Sequence, residues 1–498
     1  MIESFPVVIV GAGPVGLLAA IELTLGGTRA VVLERLAAPS LAMKAGGIGP
    51  LGAEALQRRG MAPAIADADA RAFAALQALA AVPGAAARGK SSKYSGHFAG
   101  LSLIRKDAQR EPERRAHPAD QQAVEAMLAE RARALGIEVR RSCEVVDIAP
   151  HAQGVELSVA TPAGLQALHC DWLVACDGGR STLRKLAGFA FEGTPPSSTF
   201  YQAMVELDHP ERLLPLGWHR TAGGVFSYGP QPGRLVMLDF SGTPEDRDAP
   251  VTRDEVEAVL RRTSGQDVRV TALHVGSRWT DNTRLADTYR RGRVLLAGDA
   301  AHVHSPFGGQ GLSLGLVDAA NLGWKLAAVA RGLMPQRLLE SYTTERRPVA
   351  EAVLANTLAQ VAILRPDAQS GAMRALFARL MELDDVNRLV GDLMGGFDTR
   401  YDVGADHDAA GRLVSDRPIG PDGSLYAAMQ QGAAILLDAS AGLAASRLVQ
   451  AATPRVHCIP VQGGPSLLIR PDACVAWAAD GDDTAGLPEA LARWFLPG

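Results

Sequence analysis

Three glycines in Gly11-Ala12-Gly13-Pro14-Val15-Gly16 follow an apolar run at residues 6–10. After them Leu17, Leu18, Ile21 and Leu25 recur at helical spacing, and a second apolar run at 30–33 ends on Glu34, 18 residues beyond Gly16. This pattern predicts a strand, a tight turn, a helix and a second strand. Each residue type then has a physical task. Gly11 permits the turn, Gly13 lets backbone N–H groups reach a pyrophosphate at the positive helix end, and Gly16 allows close helix–strand packing. Pro14 lies within the same turn. Glu34 can accept hydrogen bonds from an adenosine ribose, with Arg35 beside it. A dinucleotide site is the expectation, against a plain glycine turn.

The fingerprint serves NAD and FAD alike, so a second signal has to separate them. It lies in Arg291-Gly292-Arg293-Val294-Leu295-Leu296-Ala297-Gly298-Asp299-Ala300-Ala301-His302, where a buried-strand pattern ends in Gly-Asp. Asp299 so placed can bond a ribityl hydroxyl. The following Pro306-Phe307-Gly308-Gly309-Gln310-Gly311-Leu312 offers backbone without side chains to a flavin ring, and a helix predicted over about 314–329 aims its positive end there. Two-electron reduction leaves negative charge near the pyrimidine side of a flavin, which oriented N–H groups and a helix N-terminus stabilise. FAD is therefore the expected cofactor, and Pro306, Gly308, Gly311 and Leu312 join its site.

With Cys176-Asp177-Gly178-Gly179-Arg180-Ser181-Thr182-Leu183-Arg184 added, the chain resembles the class A flavoprotein monooxygenases related to para-hydroxybenzoate hydroxylase, and above all the bacterial hydroxylases of aromatic polyketide biosynthesis. The resemblance implies an enzyme that takes electrons from NADPH or NADH without a separate domain for them. It also implies O2 and a polycyclic phenolic small molecule as substrates. Asp177 would lie where both cofactors are handled, and Arg184 near a nicotinamide phosphate, with a surface salt bridge as the alternative. Gln121, four residues before Glu125, matches a helix-start glutamine near the flavin; a generic capping residue is the bland reading. Lys44 stands where many relatives carry arginine, keeping the charge and losing the bidentate fork. Leu51 replaces a second arginine.

Pro306 and Phe307 are the candidates to wall the oxygen site, with core packing as the alternative and no acid or base assigned. His302 and His304 read as hydrogen-bonding loop residues more than as general bases. Oxygen insertion beside a ketone, of the Baeyer-Villiger kind, is the nearest alternative reaction. A non-catalytic flavin scaffold is the alternative from another class. A halogenase would carry Trp-x-Trp-x-Ile-Pro, and none of the six tryptophans sits two from another.

These residues need elements to hold them. The fold class expected is α/β: a Rossmann-like FAD-binding domain, a β-sheet substrate domain and a C-terminal thioredoxin-like domain. The divisions run 1–178, 179–273 (β-rich), 274–395 (the return to the first domain, with a helical linker) and 396–498. An alanine-rich stretch at 61–90 reads as helix and loop broken at Pro83 and Gly84. Alternation along the β-rich runs puts Phe226 and Tyr228 on one face, and these with Met237 are the substrate-site candidates, ordinary sheet core being the equal alternative for that face.

Composition is that of a globular chain, 47% hydrophobic and 21% charged, with a formal charge of -4. Neither nucleic acid nor membrane is an expected partner. Five cysteines without CxxC or CxxH spacing suit a reducing cytoplasm and no metal site, and exclude dithiol chemistry in the terminal module. The uncharged run 5–21 is broken by glycine and proline, so no targeting segment is read. A monomer or homodimer is expected.

Overall fold

The computed structural model describes residues 2–40, 42–80, 93–229, 231, 233–244, 246, 249–420 and 423–497. The alanine-rich stretch begins as a helix, Ala62–Ala80, while Pro83 and Gly84 lie outside the described residues. The first sheet has Glu3–Val10 at its centre, flanked in parallel by Ala30–Glu34 and by the end of Gly164–Ala175. Glu138–Arg141 extends one side and Val294–Leu296 the other, both in parallel. The strand Val294–Leu296 arrives about 120 residues after its neighbour, so the segment between forms a separate layer.

Helix Pro14–Leu25 packs on this sheet, and helix Gly311–Ala330 packs against that helix. Their approach is close because a Cβ on Gly323 would lie 2.2 Å from Glu22 Cβ. Gly311–Ala330 is buried on every side from Leu314 to Val329, which is why its sequence shows little amphipathic period.

The intervening layer is a five-stranded antiparallel sheet, in the order Gly217–Arg220, Val225–Tyr228, Arg234–Asp239, Thr199–Leu207, Val270–Thr280. Helix Arg253–Ser264 covers one face through Val256, Val259 and Leu260. Thr252 caps its start by accepting from Glu255 N–H, and Gly265 ends it at a φ of 70°. The opposite face looks toward the flavin-type loop.

The terminal module has strand order Val456–Pro460, Ala434–Asp438, Ser466–Ile469, Val475–Ala479, the first pair parallel and the others antiparallel. That is a thioredoxin-like sheet with a short turn in place of a helix between Val456–Pro460 and Ser466–Ile469. Buried charge ties it to the first body. Arg470 donates to Glu345 at 2.7 and 2.8 Å, and Glu345 also accepts from Lys325 and Asn321 of Gly311–Ala330. Among the described residues no helix is long and apolar enough to cross a membrane.

All five cysteines are free; Cys458 lies in the edge strand Val456–Pro460, and buried Cys474 immediately before Val475–Ala479. Replacing both by Ser is expected to leave turnover per bound flavin unchanged, measured as NAD(P)H oxidation normalised to flavin absorbance. A specific loss in a folded double variant would show redox traffic through the module.

Candidate functional site

A cavity of about 2200 Å³ runs from the Gly11–Gly16 turn, along residues 297–314, to the open face of the five-stranded sheet. A pocket for one small molecule occupies about 300–1,000 Å³. This space therefore has room for a dinucleotide and a second ligand together.

At one end the glycine turn has the shape a pyrophosphate needs. Gly11 sits at a φ of 106°, and a Cβ there would lie 2.3 Å from Cys176 O; a Cβ on Gly16 would lie 2.0 Å from Gly11 O. At Gly13 a Cβ would meet no protein atom within 4 Å, so the space beside it is free for a ligand. Pro14 begins the helix, whose first turn carries no acidic side chain. Glu34 is positioned by Ala12 N–H and Leu36 N–H, each donating to its carboxylate at 2.8 Å, and Arg35 lines the same rim. Cavity shape, open cradle and donor set fit the adenosine and pyrophosphate of FAD.

In the middle, exposed Asp299 projects from the turn after Val294–Leu296. Gly308 and Gly309 take φ values of 90° and 64°, a left-handed backbone favoured by glycine. Gln310 locks this loop: its amide donates to Leu393 O at 2.9 Å and accepts from Asn356 at 2.8 Å. Leu312 and the first N–H groups of Gly311–Ala330 then face the cavity. Asp177 also lines it, accepting from Leu183 N–H at 3.2 Å through one oxygen while the other is buried without a partner. Asp120, not Gln121, caps helix Gln121–Ala134. Gln121 donates to Glu125 and borders the cavity, so the capping alternative for it falls.

Lys44 is exposed at the rim and Leu51 packs against Gly396. Arg184 is neither a surface ion pair nor a free cation. It is buried, donates to Ala300 O and Gly179 O at 2.9 and 3.0 Å, and lies over Phe191, clamping the Asp-Gly turn to the Gly-Asp turn. His302 lies beneath the loop, 2.7 Å from Asp318. His304 faces the cavity, where burial lowers its pKa against the raising effect of Ser305 O, 2.7 Å from Nδ1. No cluster able to hold a metal occurs among the described residues.

At the far end Phe307 is buried, its ring centroid 5.2 Å from Trp218 and 5.8 Å from Phe200, with Trp279 behind Phe200 at 5.0 Å. Pro306 lines the same wall. The substrate candidates Phe226, Tyr228 and Met237 do not line it. Phe226 and Met237 are buried, and all three pack on the reverse face, against helix Arg253–Ser264. Alternation correctly grouped Phe226 with Tyr228, but the helix claims that face, leaving Ser227 and Val236 to the cavity. Trp218, Phe200 and Trp279 were missed. Their signal was available, as aromatics of opposite strand parity to Phe226, once the covered face is known.

The family described as FAD binding domain matches residues 4–357, and that described as aromatic-ring hydroxylase, C-terminal, matches 407–497. The chain belongs to the FAD-dependent aromatic-ring hydroxylases. It is 37% identical to a 12-dehydrotetracycline 5-monooxygenase/anhydrotetracycline 6-monooxygenase of Streptomyces rimosus, over 99% of both chains. It is 36% identical to a rifampicin monooxygenase of Streptomyces venezuelae, over 99% of this chain and 98% of that one. Among solved structures, the OxyS anhydrotetracycline hydroxylase from Streptomyces rimosus superposes with a TM-score of 0.84 at 36% identity, over 99% of both chains. This hydroxylase is thus an FAD-dependent monooxygenase of mixed α/β fold, with the thioredoxin-like module as its C-terminal family domain.

Proposed function

We propose that this enzyme hydroxylates a fused-ring phenolic substrate, using NADPH or NADH and O2, with the ring held between the loop 306–311 and the open face of the five-stranded sheet. The supporting observation is the aromatic wall of Phe200, Trp218 and Phe307, contiguous with the flavin-type loop in one cavity. Such a wall suits a flat polycycle and keeps water from the reacting atoms. Bound FAD supplies the electron transfer and O2 activation that no side chain provides. Gly11, Gly13, Pro14, Gly16, Glu34 and Arg35 hold its adenosine diphosphate portion, and Asp299 its ribityl chain. Asp177, Gln121, Gly308, Gly311 and Leu312 border the remainder, with Lys44 at the rim. Pro306 and Phe307 position the substrate ring and exclude water.

The test supplies holoenzyme with NADPH or NADH, ¹⁸O2 and a panel of polycyclic phenols, and locates the label by mass spectrometry. A single ¹⁸O on a ring carbon is expected. A lactone-type product would replace this reading with insertion beside a ketone. Flavin that NAD(P)H cannot reduce would make the protein a scaffold.

Two substitutions separate the faces of the sheet. Trp218→Ala is expected to raise the share of NAD(P)H lost as H2O2 severalfold with flavin content unchanged, because the ring loses its wall. Phe226→Ala is expected to cost about 3–5 kcal/mol of stability by leaving a core cavity. In surviving holoenzyme its coupling ratio should match wild type, as read by peroxide assay beside urea denaturation.

A further inference from the structure

One row of residues crosses the open face of the five-stranded sheet, a single residue from each strand in direct register. Trp218 pairs with Ser227, Ser227 with Val236, Val236 with Gln202, and Gln202 with Ser277. All five line the cavity. The row is apolar and aromatic at its Trp218 end and polar at its Gln202 end. Gln202 is only 6% exposed, and its side-chain oxygen has no hydrogen-bond partner. A buried amide oxygen without a donor is costly, so such a group in a cavity wall calls for a ligand.

Diagonal to Gln202 and on the same face stands Arg234. Its guanidinium lies against Gly46, where a Cβ would be 2.4 Å from it, and so borders both the sheet and the loop carrying Lys44. No described carboxylate forms an ion pair with Arg234; Asp120 is the acidic group whose charge reaches it. A half-buried cation and a buried amide whose oxygen has no partner therefore converge on one edge of the cavity, across from the aromatic wall of Trp218.

We infer that Gln202 and Arg234 form a polar edge that selects fused-ring substrates bearing an acidic hydroxyl beside a ring carbonyl, and fixes which edge of the polycycle points away from the flavin loop. The amide oxygen accepts a hydrogen bond from the hydroxyl and the amide NH2 donates one to the carbonyl, while Arg234 favours oxygen-bearing negative charge. Ser227 and Ser277 continue the polar strip on either side of Val236 and Gln202. The inference rests on the cavity being the substrate site.

The test titrates FAD-loaded enzyme with 1,8-dihydroxyanthraquinone and with its 1,8-dimethoxy ether, reading the perturbation of the flavin spectrum. Wild type should bind the hydroxy compound at least about tenfold more tightly, the ratio for one good hydrogen bond. Gln202→Met, nearly equal in volume, should bring that ratio close to one while leaving affinity for the ether unchanged. Arg234→Gln should lower it severalfold, and Arg234→Lys should restore part of it; these two decide the matter if Gln202→Met fails to retain flavin. Equal weakening of both compounds, no hydroxyl preference in wild type, or no binding of the hydroxy compound would each overturn the inference. Retained discrimination with no ¹⁸O incorporated into any phenol would sink the oxygenation reading and leave this one standing.

Discussion

Gly13→Val is expected to give a folded, colourless protein. The three glycines of the turn differ in what surrounds them. A side chain at Gly11 or Gly16 would collide with backbone oxygens at 2.3 and 2.0 Å, so substitution there disturbs the fold itself. Gly13 has a φ of -75°, open to any residue, and nothing of the protein within 4 Å of a Cβ. Valine would therefore intrude only into the space left for the cofactor, where pyrophosphate must approach backbone N–H groups at the helix start. Loss of FAD should exceed 90%, or roughly 1.4 kcal/mol at the least for each tenfold fall in affinity. The measurement is the ratio of flavin to protein absorbance after purification, beside the thermal melt of cofactor-stripped wild type. A variant with normal flavin content would mean the pyrophosphate lies elsewhere; a variant that melts far below stripped wild type would mean Gly13 is structural.

Asp318→Leu should cost about 3–5 kcal/mol of unfolding free energy, because it leaves three buried donors, one of them a guanidinium, without their acceptor. The carboxylate is fully buried in helix Gly311–Ala330 and serves three donors. Arg346 donates at 2.8 Å, Gly298 N–H at 3.1 Å, and His302 Nε2 lies at 2.7 Å. Arg346 in turn reaches Tyr401 at 2.7 Å, so the Gly-Asp turn beneath the flavin site is anchored to the chain entering the terminal module. Urea denaturation at neutral pH reads the stability loss, and flavin retention reads the displaced turn; an unchanged midpoint would show that the network is ornamental. Asp318→Asn keeps the shape and should lose less.

The same carboxyl carries a pH signature. Burial alone would raise its pKa, but Arg346 and His302 hold it below its ordinary 3.8. A carboxyl with a depressed folded-state pKa contributes its full stability above the ordinary value, and loses it as pH falls through that value toward the folded one. The slope of stability against pH below about 4 should accordingly be shallower in Asp318→Asn than in wild type.

What the sequence determined alone is what depends on near neighbours. The spacing of Gly11, Gly13 and Gly16 between two apolar runs specifies a strand, turn and helix because turn geometry and helix packing act over a few residues, and Glu34 follows from the length of that unit. The Gly-Asp turn and the loop 306–312 were readable for the same reason, as was the module without vicinal thiols. Tertiary structure alone decided matters of phase and partnership. Alternation shows that Phe226 and Tyr228 share a face, but only the docking of helix Arg253–Ser264, some thirty residues on, makes that face core and hands the cavity to Trp218, Ser227, Val236 and Gln202. Arg184 carries no mark in sequence that its guanidinium will be consumed by Ala300 O, 116 residues away. His302 likewise becomes a buried support because Asp318 returns beneath it on a helix. Side-chain roles of this kind are set by which surfaces meet, and that is a property of the whole packed chain.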